Sequence, residues 1–247
     1  VLICKMGKEI KTLRGIGQVL LWGGFSAACV LFLTDNLSTA IIVMGISCIM
    51  VFVVHPKTKP FIAIVIAGLA VILVGVKILG MALATSENFR LRRILVWLNP
   101  EEHASEGGYQ IMQALYAIGS GGFFGKGLGN RAQKMIIPEV QNDRILSIIC
   151  EELGVFGAII VLVLFGMLLF RLLFIAQNAP DLYGSLIVTG IFAHIALQVV
   201  LNVAVVINLI PTTGITLPFI SYGGTSILFL MAEMGIALGV SQRIKIS

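Results

Sequence analysis

The stretch 138-PEVQNDRILSIICEELGVFGAIIVLVLFGMLLF-170 decides how the chain is read. From Ile145 it is long and apolar enough to cross a bilayer, yet it opens with Glu139 and Asp143 and sets Glu151 and Glu152 among the apolar residues. A carboxylate at the centre of a membrane helix costs about 2.5–3.5 kcal/mol, so four acids around one span point to a use for them. On a helix that includes Asp143, Glu151 falls about 80° round from it and Glu152 about 180°. Only one glutamate readily shares its face, and the other is expected to serve packing with another helix, for example by accepting a hydrogen bond.

Outward from this stretch, further apolar windows approach the roughly 20 residues that a membrane helix needs. They are Gly17–Leu33, Leu37–Val54, Phe61–Thr85, Gly184–Asn208 and Ile215–Val240, which with Ile145–Ala176 make six expected spans. The chain is 58% hydrophobic and 12% charged, with a mean hydropathy of +1.02. A soluble core with six such helices would have almost no polar surface, so the expected fold is an all-α polytopic membrane protein, a single domain over 1–247.

The net charge of +5 does not mark a nucleic-acid binder, because the basic residues lie between spans and form no basic face. They report orientation instead. Lys5, Lys8, Lys11, Arg14, Lys57, Lys59, Arg171, Arg243 and Lys245 fall in one set of alternate segments, and the opposite short loops, Thr34–Asn36 and Leu209–Gly214, hold no Lys or Arg. By the positive-inside rule the termini are cytoplasmic and the loop Ser86–Arg144 is extracellular. Cys4, Cys29, Cys48 and Cys150 read as small buried hydrophobes, and His55, His103 and His194 form no zinc pattern. Because the chain opens at Val1 in a charged segment, it is expected to be part of a longer protein.

The loop Ser86–Arg144 is rich in glycine, aromatics and both charge signs, and amphipathic helices on the outer membrane surface are expected in it. Lys77, late in the third window, can snorkel to the interface. Within the loop, 119-GSGGFFGKGLGN-130 fails as a phosphate loop, since Gly127 rather than Ser or Thr follows Lys126. Its glycines allow close backbone approach either to a polar ligand or to a neighbouring helix. Lys126, Arg131, Lys134 and Arg144 cluster with Glu139 and Asp143 at the outer mouth of the fourth span. This is either a solvated mixed-charge face or a site where cations hold an anionic head group and one carboxylate is free to take a proton. The run 211-PTTGITLPFISYGGTS-226, with two prolines and three glycines, breaks the last helix and is expected to line a cavity.

These residues carry a resemblance. The run 108-GYQIMQALYAIGSGGFFGKGLGNRAQKMIIPEVQNDRILSIICEELG-154, with 92-RRILVWLNP-100, Gln198, Asn202 and 211-PTTGITLPFISYGGTS-226, resembles the FtsW/RodA/SpoVE family of SEDS proteins, closest to the FtsW/SpoVE branch. The resemblance implies a ten-helix fold of which these spans are the last six. It also implies a multi-pass protein of the bacterial inner membrane that polymerises lipid II into glycan strands, working with a class B penicillin-binding protein and with division, elongation or sporulation proteins. The family's essential acid falls on Asp143, its Gln-Lys pair on Gln133 and Lys134, and its Glu-Glu-Leu-Gly on Glu151 to Gly154. Arg144 stands where an aromatic is common, and Gln141 where His is frequent.

Joining two sugars in this way needs a base for the acceptor hydroxyl and cations or a divalent metal, Mg or Mn, for the departing diphosphate. Asp143 is then the expected base, Lys134 the leaving-group clamp with Lys126 and Arg131, and Gln133 a substrate-binding residue. Glu151 lines the cavity, and Ser221, Tyr222, Gly223 and Gly224 shape its opposite wall. Two other classes remain: a transporter or flippase of lipid-linked precursors, whose polar groups would concentrate near the midplane, and a non-catalytic scaffold.

Overall fold

The computed structural model describes residues 2–7, 12–34, 36–55, 89–129 and 143–244. Among them the regular elements are helical: α1 (Leu2–Met6), α2 (Leu13–Thr34), α3 (Leu37–Val54), α4 (Phe89–Leu98), α5 (Gly108–Gly121), α6 (Ile145–Asn178), α7 (Leu182–Val206) and α8 (Gly224–Ser241). Helices α2, α3, α6, α7 and α8 are long and apolar enough to cross a membrane. The expected span Phe61–Thr85 and Lys77 lie outside the described residues. The expected loop helices are present as α4 and α5, with a short 3-10 turn at Ala104–Glu106 between them.

The chain forms two compact units. The first holds α1 to α3, α6 from Leu162, α7 as far as Val200, and the chain from Pro218 onward. In it, Asn36 caps α3 by accepting from Ser38 N at 3.1 Å and Thr39 N at 3.2 Å. A Cβ on Gly23 would collide with Ser47, so small residues let α2 and α3 approach closely. Asp181 caps α7 through Gly184 N at 3.3 Å, and Ser185 Oγ donates to Ala176 O at 2.7 Å, which fixes the turn from α6 into α7.

Helix α8 begins at Gly224, not at Ile215 as the apolar window suggests. Proline supplies no N–H, and Ile220 N bonds back to Pro218 O at 2.8 Å across Phe219, whose φ is 62°. This tight turn takes the backbone out of helical register just before the last span.

The second unit holds residues 59–161 and 201–217. Helix α7 ends here in a Schellman motif: Asn208 adopts φ 57°, Leu209 N bonds Ala204 O at 2.8 Å and Asn208 N bonds Val205 O at 3.0 Å. Trp97 Nε1 of α4 donates to Asn208 O at 2.9 Å, so the end of α7 and the loop helices are held together.

Helix α6 is not continuous. Gly154 has φ 72° and ψ −175°, a conformation open essentially to glycine alone. At 1.5 Å per residue the 34 residues would extend roughly 51 Å, well beyond a hydrocarbon core of about 30 Å. The part after the break is itself long enough to cross, so Glu151 and Glu152 lie in the turns ahead of the crossing portion and need not enter hydrocarbon.

Candidate active site

A break in a helix frees backbone groups that must find partners when no water is at hand. Here the glycine-rich segment supplies them. Val155 N bonds Gly122 O at 3.0 Å and Phe156 N bonds Phe123 O at 3.1 Å. In the other direction, Lys126 N bonds Glu151 O at 2.9 Å and Gly127 N bonds Glu152 O at 3.0 Å. Gly125, at φ 78°, and Gly154 face each other at the crossing, and a Cβ on either would collide with the backbone beside the other. Gly125, and Gly121 beside Cys150 O, thus serve close approach to a neighbouring helix, one of the two readings the sequence left open.

Both glutamates are engaged with this segment. Glu151 is fully buried, and Lys126 Nζ lies 3.2 Å from its Oε1 while also donating to Ser120 Oγ at 2.7 Å. Glu151 Oε2 has no hydrogen-bond partner among the described residues. Glu152 accepts from Gly129 N at 3.3 Å, so the expected packing role is met by the loop rather than by another helix.

Two turns earlier, Asp143 and Arg144 precede α6. Arg144 is only 3% exposed, and its Nη1 donates to Gln110 O of α5 at 3.1 Å. Its own carbonyl receives Ser147 N at 3.0 Å and Ser147 Oγ at 2.7 Å. Burial lowers the Arg144 guanidinium below its ordinary value, an effect that Asp143 opposes, and the group stays charged. Asn202, buried at the end of α7, donates from Nδ2 to Asp143 O at 2.8 Å and to Ile215 O at 2.7 Å. A cavity of about 240 Å³ opens beside Asp143, lined also by Arg93, Val96, Gly107, Gln110, Arg144, Thr212 and Gly214.

A family model described as cell cycle protein, for FtsW, RodA and SpoVE, matches residues 3–246. The chain belongs to this family. It is 42% identical over 219 residues to stage V sporulation protein E of Bacillus subtilis, covering 88% of this chain and 58% of that protein. It is 45% identical over 160 residues to the "Probable peptidoglycan glycosyltransferase FtsW" of Trichlorobacter lovleyi, covering 64% of this chain and 42% of that protein. The chain therefore spans about half the length of these relatives. Among solved structures, it is similar to a chain from a peptidoglycan synthase complex described as coordinating polymerization and crosslinking, with TM-score 0.69, 26% identity and coverage of 93% and 62%. It is also similar to the rod shape determining protein RodA of Thermus thermophilus, with TM-score 0.60, 25% identity and coverage of 100% and 64%.

Of the residues read from the sequence of this FtsW, RodA and SpoVE family member, the structure sets Asp143 in the cavity and Lys126 against Glu151. Neither Lys126 nor Glu151 is among the residues lining the cavity. Gln133, Lys134, Arg131, Glu139 and Gln141 lie outside the described residues. Ser221, Tyr222, Gly223 and Gly224 belong to the first unit, where Ser221 is buried, Tyr222 is exposed and Gly223 caps α8 in extended conformation. From the run 211–226 it is Thr212 and Gly214 that border the cavity.

Sequence reasoning gave no role to Arg93 or to the Asn202 clamp. An amide inside an apolar helix is the signal that could have found the role of Asn202. It also missed Glu233, midway along α8, whose carboxylate lies 2.9 Å from His194 Nδ1 of α7. Gln198 Nε2 lies 3.0 Å from His194 Nε2, and with the amide so placed the imidazole proton sits on Nδ1, toward Glu233.

Proposed function

We propose that the protein is a peptidoglycan glycosyltransferase that polymerises lipid II, with Asp143 as general base. The observation that carries this reading is Asp143 in a cavity with Arg93 and Arg144, its backbone clamped by buried Asn202. The names of the relatives support it. The acceptor sugar hydroxyl loses its proton to the Asp143 carboxylate, its oxygen bonds the donor anomeric carbon, and the bond from that carbon to the lipid diphosphate breaks. Lys134, with Arg131, serves the departing diphosphate. Thr212 and Gly214 shape the far wall of the cavity.

Among the described residues no three His, Cys, Asp or Glu side chains converge as a metal site. A Mg or Mn ion beside Asp143 would take most of its ligands from water and substrate phosphates. The protein acts with a class B penicillin-binding protein that crosslinks the product, in division or sporulation, in the bacterial inner membrane with residues 86–144 outside.

Labelled lipid II supplied to the full-length protein with its transpeptidase tests the reading. Asp143→Asn keeps the shape but loses the basic oxygen, so glycan synthesis should fall by about 10²–10⁴-fold while substrate still binds. Normal polymerisation by this variant would remove the base assignment. A second reading, movement of lipid-linked precursors across the bilayer, draws on the pairing of His194 and Glu233 midway along two membrane helices. Transfer of lipid II between leaflets by an unaltered protein that never links it would favour that reading.

A further inference from the structure

We infer that the glycine-rich turn 119–129 is an anchor seated in the phospholipid bilayer. Phe123, Phe124 and Leu128 lie among the acyl chains of the leaflet that α6 enters after its break, and Tyr116 of α5 stands at the head groups. The inference rests on α6 crossing the membrane and not on the reaction proposed above.

The turn presents apolar surface and little else. Phe124 is 80% exposed and Leu128 78%, and Phe123, set edge-on to Phe124 with 4.9 Å between ring centroids, is exposed as well. Three large apolar side chains exposed within six residues make a patch that calls for cover. The one charged side chain of the turn, Lys126, reaches Ser120 Oγ and the buried Glu151 Oε1.

This patch continues the outer side of a membrane helix. The Phe123 ring lies 6.1 Å from that of Phe156, in the first turn after Gly154, and Phe156, Ile159 and Ile160 are exposed on the part of α6 that crosses. That part, 155–178, measures about 36 Å at 1.5 Å per residue against a hydrocarbon core of about 30 Å, so the break and the turn beside it stand at the edge of the core. Tyr116 is exposed too, and a ring with a polar tip suits the head-group level.

Irregular backbone is barred from hydrocarbon when its N–H and C=O groups lack partners. Pairing across the crossing removes that obstacle. Gly125 N bonds Gly121 O at 2.9 Å, the N–H groups of Lys126 and Gly127 reach the carbonyls of Glu151 and Glu152, and the carbonyls of Gly122 and Phe123 accept from Val155 and Phe156. Gly129 N donates to the Glu152 carboxylate at 3.3 Å. A partner protein is the alternative cover. Membrane helices associate through small residues and interhelical hydrogen bonds, whereas the exposed side chains here are large, protruding and apolar, which favours acyl chains.

Photocrosslinking tests the anchor. p-Benzoylphenylalanine replaces Phe124 in the full-length protein, reconstituted in vesicles of phosphatidylethanolamine and phosphatidylglycerol, with the melting temperature as a control for folding. The same probe at Phe156 gives the lipid-facing reference, and at exposed Glu101 the water-facing one. Phospholipid adducts at position 124 should approach those at 156 and exceed those at 101 by about tenfold or more. Leu128 offers a second site for the probe if the variant at 124 fails to fold. Adducts no more frequent at 124 and 128 than at 101 would overturn the anchor. Adding the transpeptidase should leave the lipid adducts in place, and their replacement by a crosslink to that partner would overturn the inference in favour of a protein interface.

Discussion

Asn202 and Asp143 are joined through the backbone: one amide nitrogen reaches Asp143 O at 2.8 Å and Ile215 O at 2.7 Å. The bond goes to the carbonyl and not to the carboxylate. It fixes where the side chain of Asp143 starts while leaving its oxygens available to a substrate.

Asn202→Ala should therefore cost about 1–3 kcal/mol of stability, because two carbonyls lose their donor. Polymerisation should fall on the order of 10²-fold through misplacement of Asp143. Asn202→Asp should be worse, since a carboxylate presents oxygen to two carbonyl oxygens. Melting temperature and lipid II turnover measured together check this, and equal rates for both variants and the unaltered protein would refute a positioning role.

Gly154 and Gly223 make opposite demands. Gly154→Ala places a Cβ against Phe123 O and Gly125 N in a backbone conformation closed to alanine, and should destabilise the protein by at least about 1–3 kcal/mol. Gly223 has φ −175°, which any residue adopts, and a Cβ there meets only Ser226 Cβ at 3.4 Å. Gly223→Ala should melt within a few degrees of the unaltered protein, and thermal denaturation in detergent distinguishes the two.

Lys126 and Glu151 should couple. Lys126→Met leaves a fully buried carboxylate without its cation and should cost about 3–5 kcal/mol. Glu151→Gln removes the charge and should restore much of that loss in the double variant. A double-mutant cycle on unfolding free energy measures the coupling, and strict additivity would show that the pair contributes nothing.

The orientation derived from Lys and Arg places His103 outside the cell and Ser241 inside. A cysteine at residue 103 should react with an impermeant reagent on intact cells, and one at residue 241 should react only after permeabilisation. The reverse pattern would remove the lipid II assignment along with the topology.

Hydropathy made α2, α3, α6 and α7 legible because each is apolar nearly all round, whereas Asp143 was singled out from the other acids only by the family resemblance. The break at Gly154 was not. A glycine within an apolar run looks like any other until the loop that fills the gap is known, and that loop lies some 30 residues earlier in the chain. The prolines and glycines of 211–226 did mark a break before the last span, but not where α8 starts: 215-ITLPFI-220 is apolar enough to extend the window, and the turn across Phe219 removes it from the helix. Arg93 and Asn202 escaped because their importance lies in carbonyl and cavity partners distant in sequence.

The crossing of the glycine segment over α6 also constrains how the gene can change. Two residues, Phe124 and Gly125, separate the paired positions on the loop, and two, Leu153 and Gly154, separate them on the helix. One inserted or deleted residue on either side would shift a whole pair of bonds out of step and turn a glycine away from the crossing. Length here is constrained as strictly as residue type, so insertions in this region should be accepted near its 3-10 turn and refused between Gly121 and Gly127.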